Sequence, residues 1–247
     1  VISMMRSQAA HFGAVFEEDM VVKIDATKRP LRVLTNATGE IETHSVIIAT
    51  GADSKWLDVP GEYELRGGGV SSCATCDGFL FSGRHVVVVG GGDAAMEDAL
   101  VLARTSKKVT LIHRRDTFRA SKVLADRVVA HPLIDILFNT VLVEIKGKAL
   151  PNEDTQDGDQ GGLDGVEGDK IVSGVVLKNS LNGETTQLDC DAVFVAIGHL
   201  PNTGFLDGVV DFDSDHTGYI KSTGRSTKTS VPGIFAAGDV SDAVYRQ

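Results

Sequence analysis

Apolar residues recur along this chain in two rhythms. Met4, Ala9 and Phe12 fall at near-helical spacing within residues 3–13, and the stretch closes on Gly13, a residue that commonly ends helices in the left-handed conformation; a helix is predicted there. Residues 14–24 and 31–34 are short apolar runs separated by a polar turn. Residues 42–49 end in Val46-Ile47-Ile48 ahead of Thr50-Gly51, so this part reads as strands leading to a glycine turn. Val86 to Val89 is apolar and β-branched at every position, as in a strand buried on both faces of a parallel sheet, and it runs straight into Gly90-Gly91-Gly92. Ala94, Ala95, Leu100, Leu102 and Ala103 predict a following helix and residues 109–112 a second strand. Residues 86–112 therefore form one β-α-β unit, which needs about 30 residues. Residues 171–177 and 186–197 predict two strands around an Asn182-Gly183 turn, and Ile234 to Ala237 runs into Gly238-Asp239.

Breakers divide this pattern. Residues 52–69 carry Pro60, Gly61 and the triplet Gly67 to Gly69, a tract long enough to be a linker or a wrapping loop, and a domain boundary is placed near Asp53. A second breaker cluster, Gly198 with Pro201-Asn202, marks a return to the first domain. The strand endings on either side look alike, Val46 to Gly51 beside Val193 to Gly198, as they would if a nucleotide domain were inserted between two halves of another. Residues 151–170 are acidic and glycine-rich with almost no apolar content to offset the entropy of ordering them; they read as a mobile surface insertion at the tip of a hairpin.

Composition narrows the function. At 247 residues the chain holds one large domain or two small ones. Its 24 basic against 34 acidic side chains give a formal net charge of −10, which argues against general nucleic-acid binding and makes any basic patch local. Three cysteines do not make a secreted disulfide framework. No apolar run approaches the roughly 18 residues of a spanning helix, so the expectation is a protein without a membrane anchor in the cytoplasm, an organelle being the alternative.

Three constellations carry chemistry. Gly90-Gly91-Gly92-Asp93-Ala94-Ala95 fits G-x-G-x-x-A between a strand and a helix, where glycines allow a tight turn and close approach of a pyrophosphate to the helix N-terminus. At the end of the second strand, where an NAD site carries an acidic residue, this chain has His113-Arg114-Arg115 with Arg119 beyond. Guanidinium groups suit a 2′-phosphate and so an NADP cofactor. His113 either packs over the adenine or ends the strand. Cys73-Ala74-Thr75-Cys76, followed by Asp77, is a C-x-x-C pair suited to dithiol–disulfide exchange, with Asp77 placed to supply or accept a proton. Zinc would need two further ligands, and no His pair lies near Cys190, so no metal is expected. Gly238-Asp239 offers a carboxylate to a sugar or sugar-alcohol hydroxyl, or a helix cap. Phe79-Leu80-Phe81 suits either docking of a protein substrate or core packing.

Taken together, Val70 to Gly78, Gly90 to Ala95, His113 to Asp116 with Phe118 to Ala120, Phe194 to Thr203 and Phe235 to Val240 resemble the low-molecular-weight thioredoxin reductases over nearly the whole chain. The resemblance implies an α/β protein with two Rossmann-like, three-layer ββα nucleotide-binding domains of the pyridine nucleotide-disulfide oxidoreductase type. A discontinuous FAD domain would span residues 1–53 and 199–247, and an NADPH domain residues 54–198. It implies electron flow from NADPH through FAD and the cysteine pair to thioredoxin, with Cys76 facing the flavin, Cys73 attacking the thioredoxin disulfide and Asp77 as acid–base residue. Arg114, Arg115 and Arg119 would hold the 2′-phosphate. Thr50, Gly51, Gly238, Asp239 and Val240 would line FAD, with Arg246 and Gln247 near its isoalloxazine. A homodimer, and a rotation of the NADPH domain hinged at residues 52–54 and 198–200, are also implied. The family opens with a G-x-G-x-x-G for the FAD pyrophosphate, and nothing before Thr50 has that pattern. The chain is therefore expected to be an internal fragment with an incomplete FAD domain, weak in FAD binding and itself inactive. Two alternatives remain: a related flavoprotein reductase serving another disulfide, and a non-catalytic NADPH-binding redox sensor.

Overall fold

The computed structural model describes residues 1–150, 170–224 and 226–243. The chain divides into two compact units, one of Val1–Asp53 with Leu200–Gln247 and the other of Ser54–His199.

The first unit opens with helix α1 (Ile2–His11), followed by strands β1 (Val21–Asp25), β2 (Leu31–Thr35) and β3 (Glu40–Thr43), an antiparallel meander, and then β4 (Val46–Ile48). The strand predicted from residue 14 begins only at Val21. Before it, the Asp19 carboxylate accepts the backbone N–H groups of Ala37 and Thr38, which pins the chain against the β2–β3 turn and holds that carboxyl far below its usual range. The strand predicted to end at residue 49 is also two. Thr43 Oγ1 donates to the Ser45 carbonyl and turns a corner, so Glu40–Thr43 pairs with β2 while Val46–Ile48 leaves the meander.

The chain crosses to the second unit through β5 (Ala52–Ser54). Residues 55–69 then wrap the second unit, where the carbonyls of Pro60 and Gly68 accept from Ile145 and Val172. The fully buried Glu62 carboxylate holds this tract in shape by accepting the N–H groups of Leu57 and Asp58. Next come β6 (Val70–Ser71), α2 (Ala74–Asp77) with a 3₁₀ turn over Gly78–Phe81, β7 (His85–Gly90), α3 (Asp93–Leu102), β8 (Lys108–Ile112), α4 (Lys122–Val129), β9 (Ile134–Leu137), β10 (Thr140–Ala149), β11 (Lys170–Asn179), β12 (Thr185–Leu188) and β13 (Ala192–Ala196). The chain returns through β14 (His199–Pro201) to β15 (Ile234–Ala236), which pairs in parallel with β4. The sequence-predicted insertion 151–170 lies outside the described residues apart from Lys170 at the start of β11.

Why the second unit has three layers follows from its strands. A parallel sheet runs in the order β6-β13-β7-β8-β9, and β10-β11-β12 form a separate antiparallel sheet. Val86 and Val88 of β7 pack with Met96, Ala99 and Leu102 of α3, and Val87 and Val89 pack with Leu142, Val175 and Leu177 of the antiparallel sheet. The period of two sends alternate valines to opposite covers, and both covers are apolar, so no position in the run can be polar. Strand β13 does the same, with Phe194 among the helices and Val193 and Val195 on the other side.

The single strand predicted over residues 186–197 is two strands in two layers. Asp189-Cys190-Asp191 carries the chain between them, and Asp191 anchors the crossing by exchanging hydrogen bonds with the His85 backbone, its carboxylate accepting from His85 N–H and its N–H donating to the His85 carbonyl. Cys190 is buried there. Burial, with Asp191 and Asp189 alongside, pushes its thiol up to about 12, so it stays protonated and inert.

Asp98 of α3 is half-buried, and that burial, followed by the charge of Glu97, raises its carboxyl to about 7. Unfolded, the group loses its proton near pH 4. Between about pH 4 and 7 the folded chain holds a proton that the unfolded chain has released, so stability falls as pH rises through that window and stays reduced above it. Asp98→Asn is expected to flatten this fall and to raise the unfolding free energy at pH 8 by roughly 1–3 kcal/mol. Tm measured against pH for both proteins tests it; parallel curves would count against it.

Candidate active site

Strand β6 ends at Ser71, and two residues later the chain enters α2. Cys73 and Cys76 are joined as a disulfide there. Cys73 is the N-cap of α2 in an extended conformation, and its Sγ accepts the Cys76 backbone N–H at 3.2 Å, with Thr75 Oγ1 at 3.4 Å. Cys73 is half-buried and Cys76 exposed. Asp77, at the end of the same short helix, receives the Ser71 hydroxyl at 2.6 Å, and that hydroxyl in turn accepts the Cys73 backbone N–H at 3.0 Å. The three sequence-predicted residues thus lie on one turn, cross-linked by a serine to which no role was given. Phe79 and Phe81 take different paths: Phe81 is buried edge-on against Phe194, while Phe79 is 68% exposed, one turn beyond Cys76.

The glycine turn joins β7 to α3. A Cβ on Gly90 would lie 2.4 Å from the Ala196 carbonyl oxygen and 2.6 Å from Ala95 Cβ, so this glycine and the small Ala95 together allow helix and strand to close up. A Cβ on Gly91 would fall 2.1 Å from the His113 ring. At Gly92, the N-cap, the same position meets open space and no side chain caps the helix, so the first-turn amides of Asp93 and Ala94 remain available to an anion.

His113 is buried. Its Nε2 sits 2.9 Å from the Thr117 carbonyl, which can only accept, so that nitrogen carries the proton; Phe118 and Phe138 flank the ring. Burial lowers its pKa first, with Arg115 and Arg119 adding to the effect, and the imidazole is neutral at pH 7. His113 follows the end of β8, and its buried ring is wedged under the glycine turn against Gly91. The loop beyond it is tied to the same turn. The Gly91 carbonyl accepts the N–H groups of Arg119 and Ala120, and the Asp93 carboxylate accepts that of Ser121 at 2.6 Å. Arg114, Arg115 and Arg119 are exposed, and none pairs with a carboxylate among the described residues. Three arginines without a carboxylate partner, on a loop whose backbone is tied to an open helix N-terminus, suit a ligand carrying phosphate at two places.

In the first unit β4 and β15 run in parallel, Ile48 opposite Ala236, so Thr50-Gly51 and Gly238-Asp239 leave the pair at the same end. Asn202 fastens the first of these. It donates to the carbonyls of Thr50, through its side chain, and of Gly51, through its backbone, and its own carbonyl accepts Thr50 Oγ1 at 2.7 Å. In the sequence the Pro201-Asn202 pair signals only a break. Gly238 takes φ +77°, and its carbonyl accepts from Ser241 and Asp242. Asp239 borders a hollow of about 440 Å³ that Ser222, Thr227, Ala237 and Gly238 also line, a hydroxyl and carboxylate surface suited to the polyol of a flavin cofactor. Val240 is fully buried and supports the turn from within. Arg246 and Gln247 lie outside the described residues.

Residues 6–247 match the family model described as pyridine nucleotide-disulphide oxidoreductase. Thioredoxin reductase of Rickettsia felis is 44% identical over 247 residues, all of this chain and 73% of that protein. The chain belongs to the thioredoxin reductases. The family uses FAD and NADPH, and the thioredoxin reductase of Mycolicibacterium smegmatis is also 44% identical, over all of this chain and 72% of its own length. Among solved structures, a thioredoxin reductase from Giardia duodenalis superposes with a TM-score of 0.80 at 36% identity, covering all of this chain and 74% of that one. Membership makes the chain an NADPH-dependent disulfide reductase of α/β fold, with the disulfide that such an enzyme requires closed between Cys73 and Cys76. No helix among the described residues is long and apolar enough to cross a membrane.

Gly91→Ala is expected to drive the new methyl into the His113 ring, costing roughly 1–3 kcal/mol of stability and weakening NADPH binding about tenfold or more. Adding His113→Ala should return part of both. Denaturant unfolding and fluorescence titration with NADPH check the pair; a Gly91→Ala protein that binds normally would remove the wedge from the account.

Proposed function

We propose that the enzyme carrying this sequence performs NADPH-dependent reduction of the thioredoxin active-site disulfide through FAD and the Cys73/Cys76 pair. The observation that carries this reading is the disulfide itself, closed on a short helix with Cys76 exposed, an exposed Phe79 one turn beyond it, and the Asp77 carboxylate on the same turn. In this reading the unit Ser54–His199 holds NADPH: the Gly92–Ala94 amides take the pyrophosphate and Arg114, Arg115 and Arg119 take the 2′-phosphate. Thr50, Gly51, Gly238 and Asp239 line the FAD site of the other unit. FAD, when bound, accepts a hydride from NADPH and supplies two electrons to a disulfide.

The chemistry that belongs to this chain is thiol–disulfide exchange. The Cys73 thiolate attacks one sulfur of the substrate disulfide, the substrate S–S bond breaks, and the departing sulfur takes a proton from Asp77. The Cys76 thiol then gives its proton back to Asp77 and attacks Cys73 in the mixed disulfide; the Cys73–Cys76 bond reforms, and the second substrate sulfur leaves and takes that proton from Asp77. Two electrons and two protons pass to the substrate, and the cysteine pair is oxidised. Phe79 offers an apolar contact to a protein carrying that disulfide. The reading includes a homodimer in the cytoplasm.

The full-length FAD-loaded enzyme with oxidised thioredoxin should consume NADPH continuously. Cys76→Ser should abolish the consumption, NADH should support at least about tenfold less, and Arg115→Ala should narrow that preference. NADPH taken up once without turnover would replace this reading with that of a redox sensor, and turnover with a different disulfide protein alone would move the partner.

A further inference from the structure

We infer that Ser71 is a positioning residue for disulfide exchange, holding the Asp77 carboxylate in the orientation from which it delivers a proton to the departing substrate sulfur. The inference rests on the acid–base role of Asp77 proposed above and goes beyond it, since it concerns how that carboxylate is aimed.

The hydrogen-bond geometry leaves the serine one choice. Ser71 Oγ lies 3.0 Å from the Cys73 backbone nitrogen, which can only donate, so an oxygen lone pair is used there. Its one proton is then free to point at Asp77 Oδ2, 2.6 Å away, the length of a charge-assisted O–H···O⁻ bond. One carboxylate oxygen is thereby fixed, and Oδ1 is the oxygen that remains for a proton on its way to or from sulfur. The same hydroxyl grips the backbone of Cys73, so the nucleophile and the acid are set relative to each other by one atom.

Ser71 is about 9% exposed and belongs to β6, where Val70 and Ser71 lie opposite Val193 and Phe194 of β13 in the parallel sheet. Asp77 and the cysteines sit on a four-residue helix and its N-cap, followed by a 3₁₀ turn. A small buried hydroxyl on the sheet ties that short helix to the central parallel sheet of the unit.

General-acid help matters in proportion to the basicity of the group that leaves. The test therefore compares two substrates with the pre-reduced full chain in single-turnover stopped flow. One is an alkyl disulfide, oxidised thioredoxin, whose departing thiolate needs a proton. The other is 5,5′-dithiobis(2-nitrobenzoate), whose aryl thiolate leaves unprotonated. Ser71→Ala is expected to slow the alkyl reaction about tenfold and leave the aryl reaction within about twofold, with Ser71→Thr restoring most of the loss. In an Asp77→Asn background, Ser71→Ala should have no further effect, because a residue that acts through Asp77 has nothing left to position. Equal slowing with both substrates, or an undiminished effect in the Asp77→Asn background, would show a structural role and overturn the inference. An Asp77→Asn chain that reduces thioredoxin normally would remove the acid–base assignment and this one with it. Loss with Asp77→Asn but none with Ser71→Ala would overturn the Ser71 assignment alone.

Discussion

The second unit rests on a sheet that must be dry on both faces. Strands β7 and β13 bury every side chain from Val86 to Val89 and from Ala192 to Val195, so each face needs its own apolar cover. The helices cover one face and the β10-β11-β12 sheet the other. Once both covers are in place, the ends of the central strands are where the layer opens to loops. Functional groups gather there. The glycine turn leaves the carboxyl end of β7, the arginine loop leaves that of β8, and the disulfide helix leaves that of β6, next to β13. In open parallel sheets ligands sit at such carboxyl ends because helix N-termini and loops converge there. The same burial that makes the sheet stable thus decides where phosphate and sulfur can be handled.

How much of this was legible depends on whether a signal is local. Val86 to Val89 followed by three glycines is local, and β7, the turn and α3 fall where the pattern placed them. Strand boundaries set by distant partners were not legible. Residues 186–197 look like one strand because Cys190 is apolar enough to continue the run, yet the Asp191 link to His85, more than a hundred residues earlier, splits it between two layers. Helix α4 and strands β9 and β10 carry apolar residues spaced for a single half-exposed face, a weaker pattern than the fully buried strands beside them. Glu62 is a further case: a carboxylate reads as surface, and only the folded loop reveals two backbone N–H groups waiting for it.

The candidate site shows the same division. Cys73, Cys76, Asp77, the glycines and the arginines were recognisable by type and spacing. His113 was not assignable, because whether an imidazole meets a ligand or a backbone depends on what faces it. Here it meets Gly91, and a glycine at that place reads in sequence as a phosphate signal when part of its reason is to admit a histidine. Ser71 and Asn202 were illegible for a related reason. Each acts through hydrogen bonds to backbone groups that are arranged only once the strands have paired, and neither residue type is unusual in a turn.

Charge completes the argument. A chain of formal net charge −10 has acidic groups to spare, and neutralising three arginines on one loop would have required only a neighbouring carboxylate. Asp93, at the first turn of α3, instead spends its carboxylate on the Ser121 backbone N–H, which draws the arginine loop onto the glycine turn, and Asp116, next to Arg115 in the chain, accepts from Thr117 Oγ1. An acidic residue at the mouth of an anion site would ordinarily oppose binding by like-charge repulsion. Bound to an N–H, it is partly screened and works as a fastener. The open amides of the turn and the unpaired arginines of the loop are both donors to anions, and a ligand must bring negative charge to both places to use them fully. An NADP-type cofactor, with a pyrophosphate and a 2′-phosphate held apart by one nucleoside, is built to that requirement, whereas a ligand with a single phosphate would leave half of the field unspent.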